Sequence, residues 1–251
     1  MSQVSIVIPT LNEAASLGRT LRQLTVLNPL PLEVIVVDGG SEDQTLAVAK
    51  QGFGSFNQSL CVQVLSCERR GRSIQMNYGA SAATGDILCF LHADTWVPDD
   101  LITIINKTLA EPTIACGGFI SLMSGSQTTR WGISLHNYLK TYYAPLLFKP
   151  HLFFRGLRLL FGDQVMFCRR TDFWDCSGFD EALPIMEDGD LCLKLIKKGR
   201  IHQVNRIVHS SDRRVAKWGS FKANAIYLYI GLLWGIGVDA NYLKQFYQDI
   251  R

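Results

Sequence analysis

The chain has 251 residues, 47% of them hydrophobic and 19% charged, which suits one large domain with a sizeable core and excludes a disordered chain. A formal charge of +3 is too weak for a nucleic-acid-binding stripe, which clusters its Lys and Arg, but it suits an anionic small substrate. Seven cysteines without any Cys-x-x-Cys pair argue against a zinc site or a disulfide framework and read as reduced thiols.

The elements follow in chain order. Val4 to Ile8 is a short apolar run rich in β-branched residues, and with no basic region or long apolar stretch before it the expectation is a cytoplasmic protein. Pro9 ends this first strand. Thr10-Leu-Asn-Glu13 has capping-box spacing, and Leu17, Leu21 and Leu24 recur at helical spacing behind it. Val34 to Val37 predicts a second buried strand, ended by Asp38-Gly39-Gly40, and Ser41-Glu-Asp-Gln44 is read as the cap of the next helix. Val62 to Leu65, Ser73 to Ala83 and Ile87 to Leu91 predict a third strand, a third helix and a fourth strand. Strands alternating with helices imply a mostly parallel Rossmann-like sheet covered on both faces.

From about residue 115 the pattern is less regular. Trp131 to Tyr143 reads as an aromatic-rich helix and Glu187 to Lys198 as a helix carrying Leu191, Leu193, Leu195 and Ile196. No polar linker divides the chain, so residues 1–212 are read as one α/β domain and 213–251 as a helical C-terminal extension. Between Lys222 and Asp239 lie sixteen uncharged residues, short of the roughly 18–20 that a membrane span needs. Gly231 and Gly235 form a Gly-x-x-x-Gly pair that allows close helix packing. This segment is read first as a helix buried in the chain or in a homodimer, with peripheral membrane contact as the alternative.

In open parallel sheets, ligands sit at the carboxyl ends of the strands, and Asp38 and Asp94 both fall there. No Gly-x-Gly-x-x-Gly follows the first strand and no Walker A loop exists, which disfavours hydride transfer and ATP hydrolysis. Arg69-Arg-Gly-Arg72 opens the third helix, where a helix N-terminus with guanidinium groups makes a natural anion site.

Val4-Ser-Ile-Val-Ile-Pro-Thr-Leu-Asn-Glu13 resembles the opening strand of the family 2 glycosyltransferases of the GT-A fold. Val36-Val-Asp38-Gly-Gly-Ser41-Glu-Asp43-Gln-Thr45, Gly85-Asp86 through His92-Ala-Asp94, Gly178-Phe-Asp180-Glu and Glu187-Asp188-Gly-Asp190 extend the resemblance. Leu91-His-Ala-Asp-Thr95 with Gly162-Asp163-Gln164 is similar to a bacterial subgroup of small soluble enzymes encoded beside radical-SAM or selenium-domain proteins.

The resemblance implies a nucleotide-sugar donor, a hydroxyl acceptor, a divalent cation (Mn2+ or Mg2+) and inversion of configuration. It places nucleotide contacts at Pro9, Thr10, Glu13, Asp38, Ser41, Arg69, Arg72 and Ala93, with Asp38 accepting from the base. Asp94 would bind the metal, because a cation bridging two phosphates stabilises the growing charge of the leaving group and prefers carboxylate oxygen. Where the family has a first Asp this chain has His92, which can donate a hydrogen bond or ligate manganese. Asp188 corresponds to the base that takes the acceptor's proton, with Glu187 binding acceptor or orienting it. Asp163 and Gln164 would face acceptor or donor sugar. Two other readings are weighed: a sugar-1-phosphate nucleotidyltransferase, which lacks its Gly-rich basic loop here, and a degenerate nucleotide-sugar-binding scaffold.

Overall fold

The computed structural model describes residues 1–55, 60–125 and 128–247. In its first part β1 (Val4–Thr10), α1 (Ala14–Leu24), β2 (Glu33–Asp38), α2 (Thr45–Ser55), β3 (Cys61–Ser66), α3 (Arg72–Ala82) and β4 (Ile87–Phe90) alternate. There follow α4 (Leu101–Leu109), β5 (Ile114–Ser124), α5 (Trp131–Phe148), α6 (Pro150–Phe154) and a 3-10 turn over Gly162–Gln164. The chain then forms β6 (Phe167–Arg169), α7 (Arg170–Asp175), α8 (Glu187–Leu195), β7 (Arg200–Ser211), α9 (Arg213–Trp218), α10 (Ser220–Gly235) and α11 (Ala240–Lys244).

The strands make a seven-stranded sheet in the order β3-β2-β1-β4-β6-β5-β7. β1 pairs in parallel with β2 and β4, β2 with β3, and β5 with β7, while β6 runs antiparallel to β4 and β5. The direction of winding reverses at β1. That reversal opens a crevice beyond the carboxyl ends of β1 and β4, the place where such sheets bind ligands.

Alternation along the strands builds a core on each face. Val4, Ile6 and Ile8 pack with Leu17, Leu21 and Leu24 of α1 and with Leu101 and Ile105 of α4. Val7, Ile35, Val37, Leu88 and Phe90 pack on the other side with Met76 and Ala80 of α3 and Leu191 and Leu195 of α8. Each such side chain taken fully out of water contributes roughly 1.5–3 kcal/mol. Helix α3 lies close to the sheet because Gly79 has no Cβ, which would stand 2.4 Å from Val7 Cγ1. The start of α3, at Arg72, is thereby brought to the crevice.

Two local expectations need correction. Thr10 belongs to β1, and its Oγ1 donates to the Val37 carbonyl (3.3 Å), so no capping box forms with Glu13. Glu13 is instead the N-cap residue of α1 without a side-chain cap, its carboxylate being drawn to Arg213. Helix α2 begins at Thr45, whose N–H donates to Asp43 Oδ1 (2.9 Å), while Ser41 turns to Asp38 and Asn12. The long strands β5 and β7 carry no clear alternation in sequence. β7 has a mostly polar outer edge, and its register against β5 is broken by a bulge.

All seven cysteines are free, and Cys89, Cys116, Cys168 and Cys192 are buried. Among the described residues no helix is long and apolar enough to cross a membrane. Helix α10 packs against α5, where a Cβ on Gly235 would stand 2.4 Å from Phe148 Cδ2. The Gly231–Gly235 spacing thus serves, at Gly235, packing within the chain.

Candidate active site

A cavity of about 1020 Å³ lies beyond the ends of β1 and β4. Its first wall is the chain leaving β1, with Pro9, Thr10, Leu11 and Glu13. Gln75 on α3 fixes this wall, donating through Nε2 to the carbonyls of Thr10 (2.7 Å) and Val37 (2.8 Å). His92, Ala93 and Asp94, leaving β4, line the floor.

At the floor, Arg213 draws two carboxylates together. Its Nη2 donates to Glu13 Oε1 (2.8 Å) and Oε2 (2.9 Å) and to Asp94 Oδ2 (2.8 Å). Asp94 Oδ1 has no protein partner among the described residues. The arrangement leaves one carboxylate oxygen and a fixed cation at the sheet edge.

A second cluster stands on the opposite wall. Met186, held at φ 67°, turns the chain into α8, whose first turn carries Glu187 and Asp188. A non-glycine residue at positive φ stores strain, a recurrent feature of functional turns. Both carboxylates are buried, at 2% and 4% exposure, and meet the same guanidinium. Arg72 Nε donates to Glu187 Oε1, and Arg72 Nη2 donates to Asp188 Oδ2 (2.7 Å). The N–H of Gly162 also donates to Asp188 Oδ2 (2.8 Å). Gly162 is needed here, since a Cβ would stand 2.5 Å from His92 Nε2.

Burial pushes the Asp188 carboxyl up to about 7, and the charges of Glu187 and Asp163 add to it against the pull of Arg72 and Gly162. Burial, reinforced by Arg72, pushes His92 down to about 4, so its imidazole is neutral near pH 7. Its Nε2 lies 3.2 Å from Arg72 Nη1 and, facing an obligate donor, accepts that hydrogen bond. His92 is thereby engaged on the Asp188 side of the cavity.

Asp163 lines the cavity and accepts from Asn137 Nδ2 (3.3 Å). Lys140 faces the same space, its ammonium 3.7 Å from the centre of the Phe161 ring, and burial pushes it down to about 8.

Other expected residues stand back from the cavity. Asp38 is 1% exposed, and its carboxylate holds its own turn. Oδ2 accepts from the N–H groups of Gly40 (3.0 Å) and Ser41 (2.9 Å), and Oδ1 from Ser41 Oγ. Gln164 is buried, with Oε1 accepting from the Phe161 N–H (3.0 Å) and Nε2 donating to Thr141 Oγ1 (3.1 Å). Arg69 points to an exposed ion pair with Glu181 at 2.6 Å.

The reverse omission is the α9–α10 segment, which supplies Arg213, Arg214, Tyr227 and Trp234 to the lining. One signal was available. Arg213-Arg214 directly follows a strand, so it sits at the same sheet edge as Asp94, and a boundary at residue 212 separates it from its site.

Fold and crevice together define an open, mostly parallel α/β domain with a buried carboxylate pair lining the cavity at its sheet edge. The chain belongs to glycosyl transferase family 2, whose model matches residues 5–175. It is 28% identical over 228 residues to a pre-mycofactocin glycosyltransferase of Mycobacterium tuberculosis, covering 88% of this chain and 45% of that protein. It is 38% identical over 206 residues to a PGL/p-HBAD biosynthesis glycosyltransferase of Mycobacterium bovis, covering 82% and 73%. The chain thus spans less than half the length of the first of these relatives.

Among solved structures it is similar to the mannosyltransferase PcManGT from Pyrobaculum calidifontis in complex with GDP-Man and Mn2+. That match has a TM-score of 0.70 at 19% identity, covering 92% of this chain and 62% of that one. It is also similar to glucosyl-3-phosphoglycerate synthase from Mycobacterium tuberculosis in complex with Mn2+, UDP and phosphoglyceric acid. There the TM-score is 0.64 at 20% identity, covering 94% and 79%. The fold is GT-A-like.

Proposed function

We propose that the chain transfers a hexose-type sugar from a nucleoside-diphosphate donor, UDP-linked in the first reading and GDP-linked in the second, to a hydroxyl acceptor. The observation that carries this is Asp188, a cavity-facing carboxyl that burial holds near 7. A general base works best with an ordinary value near the working pH. Its removal of the acceptor's proton lets the oxygen attack the anomeric carbon. The bond from that carbon to the diphosphate breaks, and its electron pair leaves with the nucleoside diphosphate. Attack opposite the leaving group inverts the anomeric centre. Arg72 keeps Asp188 and Glu187 in place, and Gly162 fixes the oxygen that it donates to.

The donor's phosphates belong at the Asp94–Arg213 edge, where the N-terminal wall of Pro9, Thr10 and Glu13 meets the floor. Asp38 and Ser41 shape the neighbouring turn that would receive the base, and Arg69 stands at its outer margin. Among the described residues no three His, Cys, Asp or Glu side chains converge to hold a metal. The donor set nevertheless fits a hard divalent cation. Such ions are commonly held by one or two carboxylates together with substrate phosphates, and Asp94 has an oxygen open to the cavity. When bound, the cation would neutralise charge developing on the leaving diphosphate. His92, with Nε2 turned to Arg72, contributes neutral imidazole to the same space.

The neighbours solved with GDP-Man or UDP and Mn2+ support a nucleotide-sugar donor and a divalent cation. Residence in the cytoplasm and kinship to the small bacterial subgroup belong to this proposal. Calorimetry of UDP and GDP binding tests the reading: Mn2+ should tighten binding to the parent, and Asp94→Ala should abolish that tightening. Equal metal dependence in parent and variant would remove Asp94 from the site.

A further inference from the structure

The cavity does not end at Asp188. Its lining also includes an apolar arm formed by Phe148 at the end of α5, by Leu159 and Met186 and, from α10 and the turn after it, by Ile230, Trp234 and Ile236. Ile236 is 70% exposed while lining the cavity, so this arm reaches the surface. Lys140 of α5 stands 5.8 Å from the Tyr227 ring of α10 and marks the polar border of this arm, while the six side chains just named carry no titratable group. Against those six side chains a polyhydroxylated compound would leave water without finding replacement hydrogen bonds, and that loss is costly.

Helix α10 gives a second, independent observation. Its residues are apolar around almost the whole circumference, yet only Ala223 and Ile230 are buried. A helix apolar on all sides is made for apolar surroundings. Tyr227, Ile230, Gly231 and Trp234 follow helical spacing and form its cavity face. At Gly231 a Cβ would meet nothing within 4 Å, so the arm is open at that point.

We propose that the acceptor is an amphiphile, with its hydroxyl presented to Asp188 and its apolar group lying in the apolar arm beside α10. This rests on the reading of the cavity as a glycosyl-transfer site. An apolar tail in the arm removes its own surface and that of Phe148 and Trp234 from water. The gain grows with chain length, by roughly threefold to fourfold for each methylene fully buried.

The test is calorimetric binding of methyl, hexyl, octyl and phenyl β-D-glucosides, below micelle-forming concentrations, to protein saturated with UDP and Mn2+. With roughly two to four of its seven extra methylenes fully buried, octyl glucoside should bind roughly 10–100-fold more tightly than methyl glucoside. Phenyl glucoside matching or exceeding hexyl would assign the arm to an aromatic group, and weaker binding would assign it to an alkyl chain. Gly231→Leu, which improves helix propensity and whose Cβ would meet nothing within 4 Å, should bring octyl to within about threefold of methyl. Its affinity for UDP should stay unchanged. A flat series on protein that binds UDP normally would overturn this proposal alone. An octyl preference that survives Gly231→Leu would place the tail elsewhere and overturn it too. Failure of the parent to bind either nucleotide would remove the underlying reading, and this inference with it.

Discussion

Replacing Arg72 by Gln removes the cation that holds Asp188 and Glu187 together. Its Nη2 stands 2.7 Å from Asp188 Oδ2. For charge centres about 4 Å apart at an effective dielectric near 20, the attraction is roughly 4 kcal/mol. The Arg72 side chain is 37% exposed, so solvent screening cuts this to roughly half. Glu187 loses the same partner and takes up part of the proton demand, which keeps the effect at the lower end. About 2 kcal/mol corresponds to about 1.5 pH units. The base works deprotonated, and its carboxyl already stands at about 7, so the acid limb of the transfer rate should move up to roughly 8.5. At pH 7 the variant should be roughly 15-fold slower, recovering most of the parental rate by about pH 9.5. The assay is initial transfer velocity at saturating donor across that range, with near-UV circular dichroism at each pH to verify folding. An unmoved acid limb would refute Asp188 as the titrating base. A loss equal at every pH would assign Arg72 to the donor instead.

Asp38→Ala should weaken UDP binding to metal-free protein, read by calorimetry, and should cost about 1–3 kcal/mol of stability by leaving the turn N–H groups of Gly40 and Ser41 unmatched. Parental UDP affinity in that variant would reduce Asp38 to a turn residue. Gly162→Ala should lower kcat by roughly 10–100-fold with little effect on donor affinity, because the added methyl must displace His92 or Arg72 beside Asp188. An unchanged kcat would show that this close approach has no part in catalysis.

The first ninety residues were legible because β1, β2 and β4 are short, nearly continuous apolar runs and the helices between them carry apolar stripes. Periodicity was therefore enough to put Asp38 and Asp94 at strand ends. The second half was harder for a physical reason. β7 exposes one polar edge and β5 is interrupted by glycines and a bulge, so neither shows a clean alternation. At the site, the Glu187–Asp188 pair could be singled out by its resemblance to the family's Glu-Asp motif, whereas its place at a helix start alone is equally that of two acids favoured by the helix dipole. The convergence of Arg72 on that pair joins residues 115 and 116 positions apart, which no local pattern reports. The pairing of Arg213 with Glu13, 200 positions away, was hidden in the same way, although the Arg-Arg pair itself stands in plain view after the strand. The aims of Asp38 and Gln164 were equally invisible, since only the folded turn shows which donors their side chains satisfy.

The central claim, base-assisted transfer at this cavity, is tested most directly by Asp188→Asn with transfer rate and donor affinity measured on one preparation. The amide keeps the shape of the side chain and loses its proton affinity. General-base catalysis contributes roughly 10²–10⁴-fold, so kcat should fall by that order while donor affinity stays within a few-fold. A near-normal rate in Asp188→Asn would contradict the account and point to Asp163 or Glu187 as the base.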